Sequence, residues 1–178
     1  MHFGQLRDLY FDVNLDKKKE FRLRLGQSKV PFGFENLQSS QNRLGMDRAD
    51  GLNSAVLNER DLGAYLMYAP SHIRQRFQYL VNSGLKGSGD YGVVAVGVFN
   101  GQTANRPAAN NTLHRLARVS YPFQFRNGQI IEPSVQTYAG EYTVTTRGAG
   151  IGGSDTFPDQ RTAFSFVLYP QPIGVQAE

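Results

Sequence analysis

The stretch LYFDVNLDKKKEFRLRL (residues 9–25) decides the fold, because apolar and polar residues alternate on both sides of a charged turn. The odd-numbered positions before and after the turn carry leucine, phenylalanine and valine. The even-numbered positions carry tyrosine, aspartate, asparagine and arginine. A period of two is typical of a β-strand with one apolar face, so the stretch predicts a β-hairpin with residues 16–20 as its loop.

The register of this hairpin follows from the parity of its apolar positions. Both apolar sets are odd-numbered, so two residues that face each other across the strands must have numbers with an even sum. A five-residue loop meets this condition and places Leu15 opposite Phe21 and Asp12 opposite Arg24. A four-residue loop would mix the apolar and polar faces, so we reject it.

The same alternation predicts further strands along the chain. They cover residues 61–68, 91–99, 115–121, 130–142 and 162–168, and a last strand starts at residue 173. Pro133 is expected to interrupt the strand at 130–142. With the two strands of the hairpin, the total is about eight strands, which favours an all-β, antiparallel fold. Ser71 as a cap and Gly84 as a terminator predict one short helix near 71–83.

The links between these strands alternate in length. Short links lie at 16–20, 122–129 and 170–172, and long links lie at 31–60, 100–113 and 143–161. The last of these includes a glycine-rich segment, GAGIGGSD (148–155), that predicts a flexible loop. Outer-membrane β-barrels show this alternation, with short turns on the periplasmic side and long loops outside the cell. The helical link after the third strand is the exception on the short side.

Composition narrows the class of protein without choosing a function. The 178 residues include no cysteine, which excludes disulfides and thiolate chemistry. Lysine and arginine number 19 against 15 acidic residues, for a formal charge of +4. A modest basic excess fits an anionic solute, an anionic membrane surface or nucleic acid.

Alternation alone leaves two architectures open. In a soluble β-sandwich or small barrel, the apolar face turns inward and the charged residues lie outside, as in a module that binds an anionic ligand. In a transmembrane barrel, the apolar face meets lipid and the charged face lines water. The pattern of residues on the two faces is the same in both cases.

Two segments of the chain resemble a known protein family, and this resemblance favours the transmembrane barrel over the soluble fold. FRLRLGQSKVPFGFENLQSSQ (21–41) and LNERDLGAYLMY (57–68) resemble the phosphate-selective porin O and P family. The matching features are a strand ending in LGQSKVPFGFEN, the SSQNR that follows, and ERDLG opening the next strand. The resemblance implies an antiparallel transmembrane β-barrel of about sixteen strands in the bacterial outer membrane, in contact with lipid and usually a homotrimer. It also implies passive diffusion of small anions such as phosphate.

The length of the chain sets a limit on this architecture. Sixteen strands of about ten residues each, with their loops, need far more than 178 residues. A closed eight-stranded barrel has an interior filled by side chains, where unpaired arginines would each cost several kcal/mol. We therefore interpret residues 1–178 as a single partial β-barrel domain, a fragment of a larger porin.

Anion passage requires fixed positive charge along a water-filled wall. The candidates to line the pore or bind anions are Arg22, Arg24 and Arg118 on the polar face, and Lys29, Arg43 and Arg60 in or beside the loop 31–60. That loop is long enough to fold inward and narrow the channel. Two alternatives stay open: a wall salt bridge with Asp12 for Arg24, and plain solvent exposure for the loop arginines.

The chain shows no pattern of catalytic or metal-binding residues. His2, His72 and His114 lie far apart in the sequence, without the spacing of metal ligands. We expect no enzyme activity, no cofactor, no metal and no nucleic-acid partner. The segment KGSGDYG (86–92) has the glycine content of a phosphate-binding loop but lacks its Gly-Lys-Ser/Thr ending, so we interpret it as a turn.

Overall fold

A computed structural model describes residues 4–43, 45, 48–145 and 154–178 of the chain. Their strands are β1 (Leu9–Asn14), β2 (Phe21–Lys29), β3 (Arg60–Tyr68), β4 (Val94–Phe99), β5 (His114–Ser120), β6 (Phe123–Gln124), β7 (Ile130–Thr145), β8 (Ser154–Leu168) and β9 (Val175–Ala177). Their helices are α1 (Phe34–Leu37), α2 (Asp50–Asn53) and α3 (Ser71–Asn82), with 3-10 turns at Ser40–Asn42 and Leu57–Glu59.

All the described strands belong to one antiparallel sheet. Its order is β1-β2-β3-β4-β5-β7-β8-β9, and the short β6 pairs with β7. Each strand of the main path lies beside its neighbour in the chain, which is the up-and-down arrangement of a barrel wall. Over the described residues the sheet does not close on itself, so the architecture is that of a β-barrel fragment.

The first hairpin has the register that parity predicts. Asp12 pairs with Arg24, and Val13 pairs with Leu23. At the turn, the backbone N–H of Leu15 donates to the carbonyl of Phe21 at 2.9 Å. The predicted five-residue loop is therefore confirmed.

The apolar face of the sheet is the exposed one. Phe11 is 58% exposed and Phe164 is 71% exposed, whereas Arg118 on the opposite face is only 2% exposed. A soluble sheet would bury the phenylalanines, since burial of apolar surface stabilises a protein in water. The observed distribution is that of a wall whose oily side faces lipid, and we call the opposite face the inner face.

The residues between β2 and β3 fold back over the inner face. Phe32 packs edge-on against Tyr138 of β7, with ring centroids 4.9 Å apart. The Tyr138 hydroxyl also donates to the carbonyl of Ala55 at 3.0 Å. With Leu52 and Val56 they form an apolar cluster on the inner face, so loop 30–59 is fixed against the wall.

Helix α3 covers another part of the inner face. Its buried residues Ile73, Phe77 and Leu80 pack with Ile130 and Tyr169, which lie where β7 begins and just after β8 ends. These positions lie at the end of the strands where the short turns connect them, which we call the short-turn end. Among the described residues, the helices are all too short or too polar to cross a membrane.

Three details of the secondary structure differ from the prediction. The long loop 143–161 is wrong at both ends, because β7 runs to Thr145 and β8 starts at Ser154. The residues in these parts of the strands are mostly polar on both faces, so apolar alternation is weak there. The glycine-rich segment predicted as a loop at 148–155 lies outside the described residues up to 153, and its last two residues belong to β8.

The other two differences concern proline. Pro133 does not interrupt β7, where it pairs with Phe166. Pro70, not Ser71, occupies the cap position of α3.

Candidate anion-binding site

Four cationic side chains converge on one buried carboxylate on the inner face. Glu59 Oε2 lies 2.8 Å from Lys29 Nζ and 3.3 Å from Arg60 Nη1. Glu59 Oε1 lies 2.8 Å from Arg43 Nη2 and also contacts the Arg48 guanidinium. We call these five residues the Glu59 cluster.

The backbone places Glu59 at the point where loop 30–59 meets β3. Asn58 and Glu59 both have positive φ angles, 64° and 66°. Residues other than glycine rarely adopt this left-handed conformation, and it is held only where the surroundings stabilise it. Here the four cations around the carboxylate supply that stabilisation.

Lys29 fixes the loop as well as the carboxylate. Its ammonium donates to the carbonyl oxygens of Asn36 and Gln38, at 2.8 and 2.7 Å. Because Lys29 is the last residue of β2, these bonds join the loop to the end of a strand. The cations of the cluster are thus held by the wall and the loop together.

The cluster carries an excess of positive charge. A second carboxylate, Asp8, pairs with the cluster, and its Oδ1 lies 2.9 Å from Arg60 Nε. Counted together with Asp8, the four basic and two acidic side chains give a formal net charge of +2. Each guanidinium has five N–H donors, and the contacts to Glu59 use only part of them.

A cavity of about 570 Å³ lies against this cluster. Its lining includes all five cluster residues, together with the hydroxyl-bearing Ser39 and Ser40 of the loop. Fixed cations and neutral donors around a solvent-filled space are what a phosphate-like anion needs, since its oxygens only accept hydrogen bonds. The arrangement favours binding of a small oxyanion.

Arg22 and Arg24 form a separate group nearer the short-turn end. Arg24 makes two parallel bonds to the carboxylate of Asp12, at 2.8 and 2.9 Å, and its guanidinium lies 4.0 Å from the Tyr10 ring centre. Arg22 pairs with Asp90 at 3.5 Å. The salt bridge that the hairpin register suggested for Arg24 is present.

Arg118 lies apart from both groups and is neutralised. Its Nη1 donates to Gln136 at 2.8 Å, and its Nη2 lies 3.7 Å from Glu132. Glu132 also accepts bonds from Ser120 and from the Tyr169 hydroxyl, at 2.7 and 2.6 Å. The burial of Tyr169 and the adjacent Glu132 charge raise the pKa of this phenol, so it stays a donor.

The structure therefore brings together three of the six predicted residues, Lys29, Arg43 and Arg60, and separates the other three. Sequence reasoning did not select Glu59, which organises the cluster. The available signal was the Glu-Arg-Asp run at 59–61, where β3 begins beside the end of β2. The described residues contain no group of three metal-binding side chains.

Comparison with known proteins gives one finding on the family. Searches of curated proteins and of solved structures returned no match to this chain. The family model described as phosphate-selective porin O and P matches residues 2–165 of the 178.

Proposed function

Because the chain belongs to the phosphate-selective porin O and P family, we propose that its inner face lines an anion-preferring diffusion channel and that the Glu59 cluster is the main anion site. The observation that carries this proposal is the convergence of four cations on one carboxylate beside an open cavity. The expected solutes are phosphate and related oxyanions, including polyphosphate.

The excess of positive charge in the cluster selects anions over cations. A net positive group in a confined space of low dielectric attracts anions and repels cations over several ångströms. Glu59 holds the guanidinium groups at fixed positions, so a passing anion meets donors that are already oriented. Shared contacts with Glu59 also keep each cation from binding the anion too tightly, as rapid passage requires.

Loop 30–59 sets the width at this level. It is attached to the wall by Phe32, by the Ala55 carbonyl and by the Lys29 ammonium. It therefore holds Arg43 and Arg48 in front of the wall residues Lys29 and Arg60. Cations on both sides of one gap form a constriction.

The same family membership supports further proposals about the whole protein. Residues 1–178 form part of a larger barrel whose further strands complete the wall around the inner face. The exposed apolar face contacts the lipid of the bacterial outer membrane, with the short-turn end toward the periplasm. We expect a homotrimer of diffusion channels without catalytic turnover.

A matched pair of variants tests the anion site in the full-length protein. Reversal potentials across planar bilayers in a salt gradient measure the permeability of chloride relative to potassium. The Arg43→Gln variant removes one charge from the cluster and is expected to lower this ratio several-fold. Arg126→Gln removes the same charge from an exposed turn and is expected to leave it unchanged.

Two outcomes would contradict the proposal. Cation selectivity of the unmodified channel would remove the anion preference. Equal selectivity in the two variants would remove the Glu59 cluster as its source. A full-length protein that stays monodisperse in water without detergent would instead favour a soluble module that binds an anionic ligand.

A further inference from the structure

The segment between β3 and β4 is far longer than the connection requires. Tyr68 pairs with Val94, and the Val93 N–H donates to the Tyr68 carbonyl at 2.7 Å. Strands in this register are commonly joined by a turn of about two to five residues. The chain instead inserts α3 and the connector 83–93, so we asked what these residues contribute.

Helix α3 is attached to several parts of the short-turn end. The Ser71 N–H and hydroxyl both donate to Glu20 at 3.0 Å, in the turn between β1 and β2. Arg76 donates to the carbonyl of Pro122, after β5, at 2.8 Å. With its apolar side against Ile130 and Tyr169, the helix has one fixed position on the inner face.

This position brings the connector to the cavity of the Glu59 cluster. Gly87, Ser88, Gly89 and Tyr91 line the same cavity as the cations. Gly87 lies so close to α3 that a Cβ atom there would meet Leu80 Cβ at 2.8 Å. Only glycine allows the connector to pack this tightly, which fixes the residue that follows it.

Ser88 is the unusual member of this lining. It is 5% exposed, and its hydroxyl has no hydrogen-bond partner among the described residues. A buried hydroxyl without a partner is unfavourable unless a ligand or water fills the vacancy. The neighbouring Tyr91 is a second donor at this place, since burial raises the pKa of its phenol.

We propose that the Ser88 hydroxyl binds an oxyanion in the cavity, from the side facing the cations of the Glu59 cluster. A tetrahedral anion such as phosphate has oxygens on several sides, so charged donors and a neutral donor can bind it together. A halide is spherical and gains less from a second, directional donor. Ser88 therefore discriminates between oxyanions and chloride. This inference rests on the proposed anion channel.

The test compares two serine variants of the full-length protein in planar bilayers. Inorganic phosphate is added to a chloride solution, and the concentration that halves the chloride current is measured. Ser88→Ala is expected to raise this concentration about tenfold or more, the effect of one lost hydrogen bond to a charged group. Ser83→Ala is the control, because that exposed hydroxyl donates to the Tyr79 carbonyl at 2.6 Å, within α3.

A third variant and the possible outcomes complete the design. Ser88→Thr keeps the hydroxyl and is expected to retain at least part of the phosphate block. If phosphate blocks the unmodified channel and Ser88→Ala equally, the Ser88 hydroxyl does not bind the anion. That result overturns this inference but leaves the proposed anion site standing. If phosphate does not block the unmodified channel, the proposed anion site fails and Ser88 with it.

Discussion

Two groups of buried arginines on the same inner face differ in their balance of charge. Around Glu59, four cations meet two carboxylates beside a cavity of about 570 Å³. At Arg118, one guanidinium meets one carboxylate, Glu132, and both side chains are only 1% exposed. The first group therefore has an excess of positive charge beside a cavity, whereas the second is a neutral pair buried in the wall.

We infer from this difference that an arginine on the inner face is not by itself a transport residue. Its charge must exceed that of the nearby carboxylates, and solvent must reach it. A neutralised and buried pair adds to the folded structure instead, since breaking it leaves an uncompensated charge. The predictions below separate these two roles.

The largest expected effect is on stability, at Arg118. Arg118→Met leaves Glu132 buried without its cation, which costs about 3–5 kcal/mol in the free energy of unfolding. Chemical denaturation of the full-length protein in detergent measures this loss. Reversal potentials of the variant that still folds are expected to match those of the unmodified channel.

A double variant checks the reason for that loss. Arg118→Met combined with Glu132→Leu removes both charges, so the penalty of an unpaired carboxylate disappears and much of the stability is recovered. The Ser120 and Tyr169 hydroxyls, which bond to Glu132, then lose their partner, so recovery is incomplete. A double variant as unstable as Arg118→Met would show that packing, not charge, is the cause.

The next effect is on selectivity, and it compares the two carboxylates directly. Glu59→Gln raises the formal net charge of the cluster, counted together with Asp8, from +2 to +3. We expect the chloride-to-potassium permeability ratio to rise about twofold, as the local potential becomes more positive. Glu132→Gln makes the same chemical change inside the wall and is expected to leave the ratio unchanged. Equal changes in both variants would contradict a distinction between the two groups.

A smaller effect separates charge from hydrogen bonding within the cavity. Raising the salt from about 0.1 to 1 M shortens the screening length from about 10 to 3 Å, which weakens the attraction of the Glu59 cluster. Phosphate block of the unmodified channel is therefore expected to weaken with salt. The ratio between Ser88→Ala and the unmodified channel is expected to stay constant, because one short hydrogen bond is not screened. Block that is insensitive to salt would contradict an electrostatic site.

The sequence predicted the wall better than it predicted the site. Parity settles the register of the first hairpin, because a slip of one residue would expose a charged face to lipid. Alternation also reveals which residues share a face. It is weak at the end of β7 and the start of β8, so these parts of the strands were predicted as a loop.

The site depends on contacts that no local pattern encodes. Charge and residue type identified Lys29, Arg43 and Arg60, but their convergence requires loop 30–59 to fold back onto the inner face. Glu59 was missed because a carboxylate is not expected at the centre of an anion site. Arg118 was selected without its partner Glu132, which comes from a neighbouring strand whose register the sequence does not settle.

The smallest expected effect concerns the attachment of α3, which carries the connector facing the Glu59 cluster. The backbone and hydroxyl hydrogen bonds from Ser71 lower the pKa of Glu20 from its ordinary value of 4.5. A carboxylate with a lower pKa in the folded state contributes stability above its unfolded pKa, and that contribution is lost as the pH falls through the folded value.

Amide hydrogen exchange in α3 between about pH 3 and 6 measures this attachment against a Glu20→Gln control at each pH. We expect the unmodified helix to be better protected than the control near pH 6, and the two to converge as Glu20 takes up its proton. Equal protection at pH 6 would show that the apolar side of α3 alone fixes the helix. The connector would then face the cations through packing rather than through charge.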